Sequence, residues 1–151
     1  MTDRPHQSYA FTTHDGEQLF YRHWPAVERR RGCVVMFHRG HEHSLRMAHL
    51  VDELDLRAFD FFAWDARGHG HSPGARGDSP SFGTSVRDVQ TFIEHIEQQW
   101  GIAPQDMAVL AQSVGAVLIS TWAHDYAPHV RCLVLASPAF KVKLYVPFAR
   151  S

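Results

Sequence analysis

An α/β fold built on a mostly parallel sheet is what this sequence predicts, and three observations predict it. Four short apolar runs, CVVMF (33–37), DFFAW (60–64), MAVLA (107–111) and RCLVLA (131–136), lack polar alternation, the pattern of strands covered on both faces. Between them lie segments with apolar residues at three- and four-residue steps, which mark amphipathic helices. Strand and helix therefore alternate, and such alternation builds a sheet with right-handed crossovers and helices on both faces.

The elements follow in order. The opening YAFTTHDGEQLFYRHW holds two β-rich runs around Asp15-Gly16, a turn pair suited to an antiparallel hairpin at the start. After the run at 33–37, a helical pattern extends from Leu45 to Leu56. After the run at 60–64 comes HGHSPGARGDSPSFG, rich in Gly, Pro and Ser and hence a loop. Phe82, Val86, Val89, Phe92, Ile93, Ile96 and Trp100 then repeat at helical spacing, and a further helix is expected from Val114 to Trp122 between the last two strands. No internal repeat, low-complexity tract or interdomain linker divides the chain.

Its 151 residues, 44% apolar and 21% charged, suffice for one ordinary domain with a core of its own. With 15 Lys plus Arg against 16 Asp plus Glu, the net charge of -1 gives no electrostatic reason to expect nucleic acid or an anionic membrane as partner. The start MTDRPHQSYAF lacks the apolar core of a signal peptide, and no run approaches the roughly 20 residues of a membrane span. A soluble cytoplasmic protein is the expectation. Cys33 and Cys132 each lie inside an apolar run and read as buried thiols, not as a disulfide or zinc framework. Trp64, Trp100 and Trp122 read as core.

Chemistry is expected at the carboxyl ends of the strands, where open α/β sheets place their sites. There the sequence has HRGHEHSLR after 33–37, DARGHGHS after 60–64 and QSVGA after 107–111. A small residue, x, Ser, x and Gly between strand and helix suits a nucleophile elbow, a strained turn that lifts the hydroxyl clear of the sheet while small neighbours relieve crowding. Ser113, with Ala111 and Gly115 around it, meets that need. The five-residue pattern alone equally suits a serine that caps the helix at Val114.

Together the three segments resemble the α/β-hydrolase family, in the branch of monoacylglycerol lipases, lysophospholipases and the hydrolases grouped with the S33 serine aminopeptidases. FHRGHEHSLR (37–46) resembles the branch's His-Gly-type loop running into Glu-His-Ser-x-Arg, with Arg39 where glycine is usual. Asp65, Gly68, Gly70 and Ser72 match its Asp-x-x-Gly-x-Gly-x-Ser, and the elbow follows with Ala111 in place of its first glycine. The resemblance implies the α/β-hydrolase fold and makes Ser113 the attacking nucleophile of a serine ester hydrolase. It implies an oxyanion hole from the backbone N–H groups of Gly40 and Val114, and support of the site loops by His38, Glu42, His43, Asp65 and Arg67. Two preaimed amides, one at a helix N-terminus, stabilise the developing oxyanion.

In this family the acid and the histidine follow the nucleophile. After Ser113 the sequence offers only Asp125, His124 and His129, all before the next strand and carried away from the elbow by its helix. Residues 1–151 are therefore expected to be the amino-terminal part of one α/β-hydrolase domain, inactive alone, with cap and carboxy-terminal strands absent. SPAFKVKLYVPFARS would lead into that cap, and the strand at 131–136 would be left as an exposed apolar edge. His41 and His43 around Glu42, and His69 with His71, have ligand-like spacing for a zinc hydrolase, but the same imidazoles suit hydrogen bonds that tie the loops together; no metal and no cofactor is assigned. The expected substrate is a small-molecule ester or lipid, of the monoacylglycerol or lysophospholipid type, cleaved through an acyl-enzyme. A noncatalytic binding protein or fragment with this fold and a serine aminopeptidase are the alternatives. Some relatives of this kind are fused to an S-adenosylmethionine-dependent methyltransferase domain, of which this segment carries no sign. Oligomeric state is left open.

Overall fold

The computed structural model describes residues 4–38, 44–73, 81–136 and 142–145, the last as backbone. Seven strands form one sheet in the order β1-β2-β4-β3-β5-β6-β7. Strands β1 (Gln7–Thr12) and β2 (Gln18–Trp24) form the expected hairpin, with Tyr9 opposite Tyr21. Its turn closes through the Thr13 N–H on the Glu17 carbonyl at 2.8 Å, and Gly16 takes the positive φ of 86° that a residue with a side chain resists.

The four apolar runs are the four parallel strands: β3 (Gly32–Phe37), β4 (Phe59–Trp64), β5 (Met107–Gln112) and β6 (Cys132–Ala136). In register, Val35 lies beside Phe62 on one side and Val109 on the other, and Leu110 lies beside Val134. Their lack of polar alternation has a direct cause, since the sheet is covered on both faces. Cys33, Val35 and Phe37 enter the larger core with Val89, Phe92 and Ile96 of helix α2 (Phe82–Trp100) and Ile119 and Trp122 of helix α3 (Val114–Tyr126). Val34 and Met36, pointing the other way, pack with Met47 and with Val51 of helix α1 (Ala48–Leu54). Full burial of one such side chain stabilises the fold by about 1.5–3 kcal/mol.

Helix α2 is bounded as its sequence suggests: the Thr84 N–H donates to the Ser81 hydroxyl at 3.0 Å, and Gly101 ends it at φ 69° with its N–H on the Glu97 carbonyl. Three expectations change. The pattern from 45 to 56 divides into a 3-10 turn, Ser44–Met47, and the short α1, which stops at Asp55 in a left-handed conformation. Cys33 is buried, its thiol pushed up by burial, but Cys132 is only partly buried. The strand at 131–136 is not an exposed edge, because β7 (Val142–Tyr145) returns antiparallel along it with Ala136 opposite Val142. An unpaired strand edge is a row of unsatisfied amides and carbonyls, and a short connection can reverse a chain onto that edge only antiparallel.

Candidate active site

Because β3, β4, β5 and β6 are parallel, their carboxyl ends share one edge of the sheet, and the chain leaves that edge three times within the described residues to begin α1, α2 and α3. Ser113 stands at the tightest of these departures, between the last residue of β5 and the first of α3, at φ 56° and ψ −120°. That backbone is not the extended conformation of an N-cap. The Ser113 side chain makes no capping hydrogen bond, so the cap reading of this serine fails. Its N–H instead donates to the Ala136 carbonyl at 2.7 Å and its carbonyl accepts from Ala116 at 2.9 Å. The turn is thus held by the sheet on one side and the helix on the other, and the hydroxyl makes no hydrogen bond among the described residues.

The small neighbours have measurable reasons. A methyl group on Gly115 would stand 2.7 Å from the His38 carbonyl oxygen and 3.1 Å from that of Phe37, because the end of β3 passes directly over the first turn of α3. Ala111 is wholly buried. The Val114 N–H, at the first position of α3, has no carbonyl one turn back to bond and points out of the helix start. Val114 and Val117 are 61% and 60% exposed beside the serine, an apolar rim on the open edge.

The loops after β3 and β4 are tied to each other. His38 is buried, and its Nε2 accepts the Ala66 N–H at 3.1 Å, so Nε2 carries no proton in this arrangement. Its ring lies 5.2 Å from that of His69, whose Nδ1 is 2.9 Å from the Arg67 carbonyl. The wholly buried Asp65 accepts the Ser44 N–H and the His71 N–H on separate carboxylate oxygens. Ser72 donates its hydroxyl to the Asp65 carbonyl and accepts the Phe20 N–H at 2.9 Å. Gly68 and Gly70, at φ 73° and 53°, shape the turns between.

Arg67 reaches the other way. Its Nε and Nη2 fork onto both oxygens of Asp88 in α2 at 2.7 and 3.1 Å, and Nη2 also meets Asp15 in the hairpin turn. The two carboxylates push the guanidinium further up, while its hydrogen bond holds the exposed Asp15 below the usual carboxylate range. At Asp88 burial pushes the carboxyl up against the pull of Arg67; the fork geometry keeps the pair ionised.

Of the residues singled out in the sequence, Ser113, Val114, His38, Asp65 and Arg67 gather at this edge. Gly40, Glu42 and His43, with Arg39 and His41, lie outside the described residues. His124 and Asp125 pair with each other at 3.1 Å at the exposed far end of α3, roughly 15–20 Å along the helix from the serine at 1.5 Å per residue. Among the described residues no cluster of three potential metal ligands forms. Sequence inspection missed Asp15, Asp88, Ser44 and Arg22, which donates its Nε to the Ser44 hydroxyl at 3.0 Å. Asp88, an acid on the apolar face of α2 two residues after Val86, was the visible signal for a buried cation nearby.

Residues 28–151 match the family described as "Serine aminopeptidase, S33". The Escherichia coli (strain K12) "Uncharacterized protein YnbC" is 60% identical over 93% of this chain, which covers 24% of that protein. The human "Monoglyceride lipase" is 31% identical over 90% of this chain and 43% of its own length, and the Mycolicibacterium smegmatis "Monoacylglycerol lipase" 28% identical over 92% and 49%. The chain thus spans less than half the length of these relatives. Among solved structures, a thermostable carboxyl esterase from Bacillus coagulans superposes with a TM-score of 0.73 at 22% identity, over 87% of this chain and 44% of the esterase. The α/β hydrolase GrgF of a Penicillium species superposes at 0.76 with 16% identity, over 87% and 45%.

Proposed function

The chain belongs to the serine aminopeptidase S33 family and has the α/β-hydrolase fold, and from that premise we propose that Ser113 is the nucleophile of a serine hydrolase that cleaves carboxylic esters of the monoacylglycerol or lysophospholipid type. One observation carries the proposal: a serine at positive φ between a parallel strand and its helix, with no capping bond, holds a strained conformation that capping does not explain.

Ser113 Oγ attacks the ester carbonyl and the carbonyl oxygen becomes an oxyanion. The Val114 N–H faces it from the start of α3, where the helix dipole favours negative charge; the Gly40 N–H, outside the described residues, is the second donor that the family resemblance implies. Collapse expels the alcohol and leaves an acyl-serine, which water then hydrolyses. The serine proton needs a base. His38 is unsuited to that task because its Nε2 already accepts the Ala66 amide. The acid and histidine of the triad are therefore assigned to chain beyond these residues, and 1–151 is the amino-terminal part of one hydrolase domain. The exposed Val114 and Val117 favour an apolar acyl group or an apolar cap over the serine.

Ser113→Ala in the protein with its complete hydrolase domain should abolish turnover of a short-chain p-nitrophenyl ester and of a monoacylglycerol while leaving the circular dichroism spectrum unchanged. Turnover retained in that variant refutes the assignment. Cleavage of amino-acid p-nitroanilides in place of esters would transfer the activity to the aminopeptidase class.

A further inference from the structure

We propose that Arg22 is the centre of a binding site for a phosphate-type oxyanion, on the face of the sheet that carries α1. The contrast between two buried arginines points there. Arg67, 6% exposed, is matched by Asp88 and Asp15. Arg22 is buried almost as deeply, at 9%, yet it forms no ion pair among the described residues. A charge taken out of water is destabilising until a counterion or equivalent hydrogen bonds replace its hydration. Asp65, joined to the same Ser44, gives its two oxygens to the Ser44 and His71 amides and forms no ion pair with Arg22.

The groups around Arg22 are neutral and turned to donate. Its Nε donates to the Ser44 hydroxyl at 3.0 Å and its Nη1 to His6 Nε2 at 3.0 Å, while the guanidinium carbon stands 5.0 Å from the centre of the Phe20 ring. Burial and the Arg22 charge hold the His6 imidazole below its ordinary pKa, so it meets Arg22 as a neutral ring. A neutral imidazole that accepts on Nε2 carries its proton on Nδ1. Ser44 accepts from Arg22 through its oxygen, and its hydroxyl hydrogen goes to no acceptor among the described residues. The Arg22 Nη2 likewise donates to no described residue, and it is not sealed from solvent. What remains available is therefore a set of hydrogen-bond donors backed by a full positive charge. Such a set repels cations and fits an anion with several acceptor oxygens, and the planar fork of arginine matches phosphate geometry. The site stands apart from the elbow: β2 lies three strands from β5 in the sheet order, roughly 14 Å at the usual strand spacing. Its occupancy does not rest on the function proposed for Ser113.

Isothermal titration of the protein with its complete hydrolase domain against inorganic phosphate, at ionic strength held constant with chloride, should show one saturable site. Arg22→Met keeps the length of the side chain, removes its charge and should abolish that binding. Ser44→Ala removes only the hydroxyl and keeps the amide that Asp65 holds; it should weaken phosphate binding by about tenfold or more, the loss expected for one hydrogen bond to a charged group. Should Arg22→Met fail to fold, Ser44→Ala and His6→Phe decide, each weakening the binding if the site is as described. Glycerol 3-phosphate titrated in place of inorganic phosphate distinguishes the sources of the anion: tighter binding of the ester assigns the site to a phosphomonoester, weaker binding to free phosphate, and either supports the site. Absence of saturable binding of both anions overturns the proposal, as does binding left unchanged by Arg22→Met or by Ser44→Ala.

Discussion

Replacing Gly115 by alanine forces a choice between the first turn of α3 and the end of β3. The added methyl group would stand 2.7 Å from the His38 carbonyl oxygen and 3.1 Å from that of Phe37, and both are main-chain atoms of a buried strand end that cannot swing aside. Overpacking of this kind costs about 1–3 kcal/mol, offset by up to about 1 kcal/mol from removing a glycine within a helix. The net expectation is a loss of about 1–2 kcal/mol, which for a domain of this size lowers the thermal midpoint by about 2–8 °C. Gly83 is the control, since it too lies in a helix but an added methyl group there meets only the Ser81 hydroxyl at 3.9 Å. Gly83→Ala should leave the stability unchanged or raise it by up to about 1 kcal/mol, about what relief of glycine entropy supplies. Thermal unfolding followed by circular dichroism compares the two at equal protein concentration. If Gly115→Ala is as stable as Gly83→Ala, the close passage of β3 over the elbow is wrong, and with it the explanation of why glycine follows the serine by two.

Three further outcomes are expected. Arg67→Ala leaves Asp88, 1% exposed, as an unpaired buried carboxylate and should destabilise the fold by about 3–5 kcal/mol in urea unfolding, whereas the double replacement Arg67→Met with Asp88→Leu should recover most of that loss; equal stability of the single and double variants would contradict the network. Burial holds the His95 pKa below its ordinary value, and its Nε2 pairs with the Tyr21 hydroxyl at 2.7 Å. Its contribution to stability is therefore complete above the unfolded pKa of about 6.5 and declines as pH falls through the lowered folded value, so His95→Gln should flatten stability between pH 7 and 5; an unchanged slope would contradict it. Deleting residues 142–145 should bare the β6 edge and produce concentration-dependent association on size-exclusion chromatography; a monodisperse deletion variant would show that β7 does not guard that edge.

The parallel core was legible because burial on both faces writes itself into composition: β3 needs apolar residues at Val34 and Met36 for one helix layer and at Val35 and Phe37 for the other. The tight strand-to-helix turn at Ser113 was legible for a related reason, since the close passage of β3 leaves no room for a side chain at Gly115. What escaped sequence inspection depends on distant partners. Arg67 joins positions 52 and 21 residues away; an acid on an apolar helix face, as at Asp88, signals a buried cation, but nothing local identifies that cation as Arg67 or marks Asp15 as its second counterion. The start of the 3-10 turn is likewise held from outside, by the Asp65 carboxylate on the Ser44 amide 21 residues away. VKLY (142–145) contains the alternation of a strand, but the strand it pairs with looked like an edge awaiting parallel neighbours, so the antiparallel return was not foreseen. His124 and Asp125, the acid and one of the histidines that follow Ser113 in the sequence, ride α3 away from it.

The central claim is that Ser113 is a nucleophile, and covalent trapping tests it most directly. The protein with its complete hydrolase domain, treated with a fluorophosphonate and digested, should carry the phosphonyl mass on Ser113 alone, with labelling suppressed by a monoacylglycerol and absent in Ser113→Ala. An adduct on another serine, or none under conditions where the protein hydrolyses esters, would contradict the account.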